Sequence, residues 1–131
     1  MGILAIILAA IAGFAVGAVW YMQLSKPWLA AAEIECDENG KPVGGFSITP
    51  FIIGFICMLC VSGMLRHTLE ASDIEGVLAS AVTGFGVGLF FITPWVAMNY
   101  AYSKRKPLLT VLDGGYSVIG PTVMGFVLGL F

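Results

Sequence analysis

Four long stretches almost free of charge dominate this sequence, and they leave few folds open to it. They run from Gly2 to Leu24, from Ile48 to Leu65, from about Gly76 to Tyr102, and from Leu108 to Phe131. A helix crosses the hydrocarbon core of a bilayer with about 20 apolar residues. All four runs qualify, the second at the short end. Apolar residues occur on all sides of each run, as surroundings of lipid or protein demand. The expected fold is therefore all-α: an integral membrane four-helix bundle forming a single transmembrane domain over 1–131. Its helices are placed at about 2–24, 47–66, 75–102 and 107–131. Composition agrees, because charged residues are 11% of the 131, against about 25% in soluble domains. Mean hydropathy is +0.97. The segments between runs are short and polar, too short for an extramembrane domain.

The first run has two readings. Ala10-Ile11-Ala12 resembles a signal-peptide cleavage tripeptide, yet no Lys or Arg precedes the apolar stretch as a secretory signal requires. An uncleaved anchor is expected, with its N-terminus outside. Four spans put the first and third connecting loops on one side. Those loops carry Lys26, Lys41, Lys104, Arg105 and Lys106, and the opposite side carries only Arg66. This bias places both loops in the cytoplasm and both termini on the non-cytoplasmic side of a cell inner membrane. Trp20, Tyr21 and Trp28 near one inner helix end, and Trp95, Tyr100 and Tyr102 near another, suit the headgroup level. With Lys26, Lys104, Arg105 and Lys106 they are expected interface anchors; packing against one another is the alternative for the rings.

Only the loop from about Ser25 to Gly45 is sizeable. It opens on Lys26-Pro27-Trp28, and Leu29 to Ile34 could lie along the interface. Glu33, Glu35, Asp37 and Glu38 follow with no spacing known to hold calcium, so a solvated loop is expected. Asn39-Gly40 signals a turn, and Gly44-Gly45 breaks the chain before the second span. Ser72-Asp73-Ile74-Glu75 fits a capping box that would start the third helix. Short connections make helices one and two, two and three, and three and four antiparallel neighbours.

Glycine is frequent, at 17 residues, and falls in three similar motifs. These are Gly13-Phe14-Ala15-Val16-Gly17, Gly84-Phe85-Gly86-Val87-Gly88 and Gly125-Phe126-Val127-Leu128-Gly129. Glycines four apart share a helix face and let backbones approach closely. Three motifs exceed what simple internal packing needs, so contact with a second copy or another membrane protein is expected beside packing within the chain. The likeness of the first and third spans also fits a duplicated hairpin, although glycine-rich helices resemble one another by chance.

Polar groups inside the bilayer are functional candidates. Asp113 is the one acid well inside a span. With Asn99, Tyr100 and Tyr116 it is expected to form a hydrogen-bonded cluster near the inner face. Three roles stand open: a clamp between helices three and four, a proton or ion site, or a carboxylate that reaches water or pairs with Lys104 or Arg105. Pro94 and Pro121 would kink helices three and four. Cys57, Cys60, Met64 and His67 share one face of the second span and are soft or borderline ligands. That face rises about 15 Å, so one metal meets only one pair, and no metal is expected. No nucleophile, base and acid set can be assembled around the sole His67, and no basic stripe suits nucleic acid.

Three sets of residues carry a family likeness: Gly17-Ala18-Val19-Trp20-Tyr21 with Lys26 and Trp28, Asn99-Tyr100 with the basic turn Lys104 to Lys106, and Leu112-Asp113-Gly114-Gly115-Tyr116 with Gly125-Phe126. In these the chain resembles the small bacterial membrane proteins grouped as domain of unknown function 1761. The resemblance covers nearly the whole length and implies a four-helix membrane fold and no activity. Residues Asp37 to Gly45 depart from the usual loop. The expected function is a non-catalytic structural or accessory component that oligomerises or docks to a membrane complex through glycine-lined faces. The alternative is a small oligomeric transporter or channel with its polar site at Asp113 and Asn99. No cofactor is expected, while bound lipid is.

Overall fold

A computed structural model describes residues 2–131. Prolines and left-handed residues punctuate it. Helix α1 spans Gly2–Gln23 and gives way to a short α2, Ser25–Ala31. Pro27 has no N–H for the carbonyl of Gln23 four residues earlier, so the first helix breaks there. Span two is α3, Thr49–Ala71. Span three consists of α4, Val77–Val87, a π turn, Gly88–Ile92, and α5, Thr93–Tyr102. Span four is α6, Pro107–Leu128. These four spans are long and apolar enough to cross a membrane. Among the described residues the sole β feature is an isolated bridge between Cys36 and Pro42, closing a turn at Gly40.

The segment Ser72–Glu75 is not the helix start that its capping-box pattern suggested. Asp73 takes a left-handed φ of 52°, and it ends α3. Its N–H donates to the Glu70 carbonyl, and Ile74 N–H donates to the Leu69 carbonyl. That pair of bonds is a Schellman stop, and Ile74 packs on the buried cluster containing Leu69 to complete it. Ser72 therefore caps the end of α3, and Gly76 precedes α4. Span two also runs past residue 66, helped by Arg66 paired with Glu70 one turn on at 2.6 Å. The same stop recurs at Glu33 after α2 and at Lys104 after α5.

Helix α6 is the hub. Along its contact with α4, Gly84 lies on the Pro121 carbonyl, Gly88 on the Ser117 carbonyl, and Gly125 on the Ser80 carbonyl. Residue numbers rise on one helix as they fall on the other. A methyl at any of these glycines would overlap backbone of the opposite helix. Pro121 leaves the Ser117 carbonyl without its usual N–H partner. The bare Cα of Gly88 covers that oxygen, a setting for a weak Cα–H···O contact. The kink expected at Pro94 is taken up by the π turn just before it. Thr93 N–H reaches back five residues to the Gly88 carbonyl, and Thr93 Oγ1 donates to the same oxygen at 2.8 Å.

Helix α1 lies on α6 as well, with Gly13 against Met124 and Gly17 against the Tyr116 ring. Helix α3 packs mainly on α1. Ser62 Oγ, fully buried, donates to the Ile6 carbonyl at 2.8 Å, and Phe14 meets Phe55 edge-on at 5.8 Å. Spans two and three, expected side by side, touch over only a few residues. The glycine face of α4 fits the backbone of α6, and nothing comparable draws it to α3.

Two small clusters form the interior. Ala5, Ala9, Leu65, Leu69, Met124 and Leu128 occupy one end; Ala31, Leu109 and Leu112 occupy the other. Larger apolar side chains mostly face outward, as Ile3, Leu78, Phe90, Phe91 and Trp95 do. Small residues inside and large ones outside is the distribution that lipid surroundings favour.

Candidate functional site at Asp113

Asp113 is the seventh residue of α6, about 9 Å along it at 1.5 Å per residue. It is half-buried. Its carboxylate gathers donors from three other elements. Tyr21 Oη, from α1, donates to Oδ1 at 2.6 Å. Trp28 Nε1, from α2, donates to the same oxygen at 2.9 Å. Tyr100 Oη, from α5, donates to Oδ2 at 2.5 Å. A carboxylate accepts about four hydrogen bonds, and three come from neutral side chains that must converge on it. Trp20, also from α1, adds a fourth hydrogen bond onto α6, its indole N–H donating to the Leu112 carbonyl at 3.0 Å.

Two members of the expected cluster stand elsewhere. Asn99 is exposed, and its side chain makes no hydrogen bond; its backbone carbonyl accepts from Ser103. It lies on a different face of α5 from Tyr100, since adjacent helical residues point about 100° apart. Tyr116 donates to the Gly13 carbonyl at 2.8 Å, with Met58 Sδ at 3.2 Å, and meets Asp113 only through the ring of Tyr21, packed edge-on at 5.5 Å. Tyr21 and Trp28, expected as headgroup anchors, also donate to Asp113. Their spacing of seven residues was the available signal. Leu24 N–H still reaches the Trp20 carbonyl and Trp28 N–H the Leu24 carbonyl, so the chain stays nearly helical across the break and brings both rings to one side.

The basic turn does not neutralise Asp113. Arg105 donates to the Ala32 carbonyl at 3.1 Å and lies over the Tyr100 ring, 5.8 Å from its centre. Lys106 sits 3.7 Å from Glu33. These contacts join the end of α2 to the turn before α6. Lys26, Trp95 and Lys104 remain on the surface.

Six of the seven glycines in the three motifs are covered inside the chain, all but Gly86. Gly84, Gly88, Gly125 and Gly129 meet backbone across the α4–α6 contact, and Gly13 and Gly17 meet α6 side chains. They offer no open face to a partner, because each approach that a missing side chain permits is already used. Cys57 and Cys60 are exposed on α3, and Cys36 is exposed in the first loop. Among the described residues no three metal-ligating side chains converge.

Against known families, residues 4–129 match the family described as Protein of unknown function (DUF1761). The chain belongs to that family. The DUF1761 match takes in all four spans and every residue of the Asp113 cluster. No curated protein and no solved structure matches the chain.

Proposed function

We propose that this DUF1761 chain is a non-catalytic structural or accessory component of a bacterial inner membrane. In this reading it crosses the bilayer four times as an antiparallel bundle, with both termini on the non-cytoplasmic side. Asp113 ties the cytoplasmic ends of the first, third and fourth spans together. One observation carries the reading: both oxygens of the intramembrane carboxylate are engaged by donors on three separate elements. Such an arrangement holds helices in place. Self-association or docking would use the apolar outer surface, where Phe90, Phe91 and Trp95 stand exposed, since the glycine faces are spent. Gentle extraction into a mild detergent should give a particle heavier than one 13.9 kDa chain with its micelle, or a co-purifying partner. A single chain alone would overturn the docking role.

The orientation has its own check. Cys36 is exposed, whereas Cys57 and Cys60 lie within a span. A membrane-impermeant maleimide should label Cys36 in inside-out vesicles and leave it unlabelled in right-side-out ones. The opposite pattern would invert the topology.

One observation favours a second reading, a small oligomeric transporter or channel. The π turn Gly88–Ile92 lies beside Asp113, with Thr93 Oγ1 3.3 Å from the Gly114 carbonyl, and π turns recur at functional sites. Its polar site would be Asp113 with the tyrosines rather than Asn99. Unchanged proton or ion flux in liposomes bearing Asp113→Asn would remove it.

A further inference from the structure

Between α1 and α3, on the side of Asp113's donors, lies a groove of about 410 Å³. Gly17 and Gly54 line it where larger residues would fill it, and Phe14, Tyr21, Trp28 and Tyr116 present rings to it. Its volume is within the range of about 300–1,000 Å³ typical of small-ligand sites. Each of its side-chain donors is already committed. Tyr21 and Trp28 donate to Asp113, and Tyr116 donates to the Gly13 carbonyl. A polar ligand would find no free donor there and no charge to meet.

The groove is continuous with the outer apolar surface of α3, where Phe51, Ile52 and Ile53 are about half exposed. In a chain whose spans are built for lipid, hydrocarbon has direct access to it. A flexible chain of methylenes can follow such a groove, and every uncommitted contact in it is apolar.

We infer that this groove is a binding site for one hydrocarbon chain of a membrane lipid. The chain lies against the rings of Tyr21 and Trp28, which pack edge-on at 5.9 Å and both hold Asp113. Bound lipid thereby braces the donors that close the end of the bundle. Recognition is of the chain and not of the headgroup, because the groove supplies no unspent polar group. This inference is independent of whether the protein docks to a partner.

Gly54 provides the test. A Cβ there would meet only Phe14 Cε2, at an ordinary 3.6 Å, so a larger side chain enters the groove without striking backbone. Gly63, on the same helix, meets nothing within 4 Å and supplies the control. The purified protein would be mixed with dioleoyl phosphatidylcholine in mild detergent and weighed by native mass spectrometry. The wild type and Gly63→Leu should each retain one lipid per chain, while Gly54→Leu should retain about tenfold less, the effect of roughly 1.4 kcal/mol of overpacking. Should Gly54→Leu fail to fold, Gly54→Ala adds a single methyl and should still lower retention by about threefold. Dioleoyl phosphatidylglycerol should be held as well as the choline lipid. Equal retention by the Gly54 and Gly63 variants would overturn the site. So would strong dependence on the headgroup, or a wild type that carries no lipid whether it is weighed as one chain or as several.

Discussion

Asp113→Leu should loosen the bundle at its Asp113 end and lower stability by about 2–5 kcal/mol, from three interhelical bonds at about 0.6 to 1.7 kcal/mol each in lipid. Leucine fills a similar space but accepts nothing, so Tyr21, Trp28 and Tyr100 lose their common acceptor together. Asp113→Asn should cost far less. Its amide oxygen still accepts from Tyr21 and Trp28, and only the acceptor facing Tyr100 is lost, about 0.6–1.7 kcal/mol. Asn99→Ala should stay within about 0.5 kcal/mol of wild type, as expected of an exposed residue away from any network. Denaturing-detergent titration followed by helical circular dichroism measures all three. A ranking with leucine well below asparagine, and Asn99→Ala near wild type, is the signature of a shared carboxylate acceptor. If Asp113→Leu unfolded together with the wild type, the carboxylate would not be holding these helices.

The spans were legible because the criterion is a bulk property. Twenty or so apolar residues in a row report hydrocarbon thickness whatever they later touch, and the four helices lie where those runs are. The ends were harder, since a stop and a start use the same residues. Ser72 to Glu75 matches a capping box letter by letter, but the left-handed Asp73 makes it the end of α3, and that choice rests on Ile74 packing back on the core. Asp113 stood out because an acid in a span is costly and rare. Among its partners Tyr100 was expected, but Tyr21 and Trp28 were not, because they carry the same residue types as rings that sit at headgroups. Only the seven-residue spacing across the Pro27 break distinguished them. Pairing of Asn99 with Asp113 was drawn from depth alone, and depth says nothing about which side of a helix a residue occupies. The glycines that the motifs share lie at close approaches between helices, but sequence offers no way to tell an internal partner from an external one. Helix α6 meets both α1 and α4, and this hub arrangement uses up all three motifs.

That internal use makes the glycines separable by experiment. Alanine at Gly88 would drive a methyl into the Ser117 carbonyl and Val118 Cα; alanine at Gly125 would do the same to the Ser80 carbonyl. Backbone cannot rotate away as a side chain can, so α4 and α6 must separate along the contact. Either substitution should destabilise by at least about 1–3 kcal/mol, the typical cost of overpacking. Gly88→Ala also uncovers the carbonyl that Pro121 leaves unpaired, so it should be the worse of the two. Gly86 lies between two packed glycines on the same helix, yet a methyl there meets nothing within 4 Å. Gly86→Ala should be neutral or stabilising by up to about 1 kcal/mol through helix propensity. Gly13→Ala should fall in between, because the atom it strikes is the flexible end of Met124, which can swing aside. The same denaturation series decides the matter by sign as well as size. If the motifs served an external partner instead, Gly88→Ala and Gly125→Ala would leave the isolated chain as stable as wild type and would lower only its association.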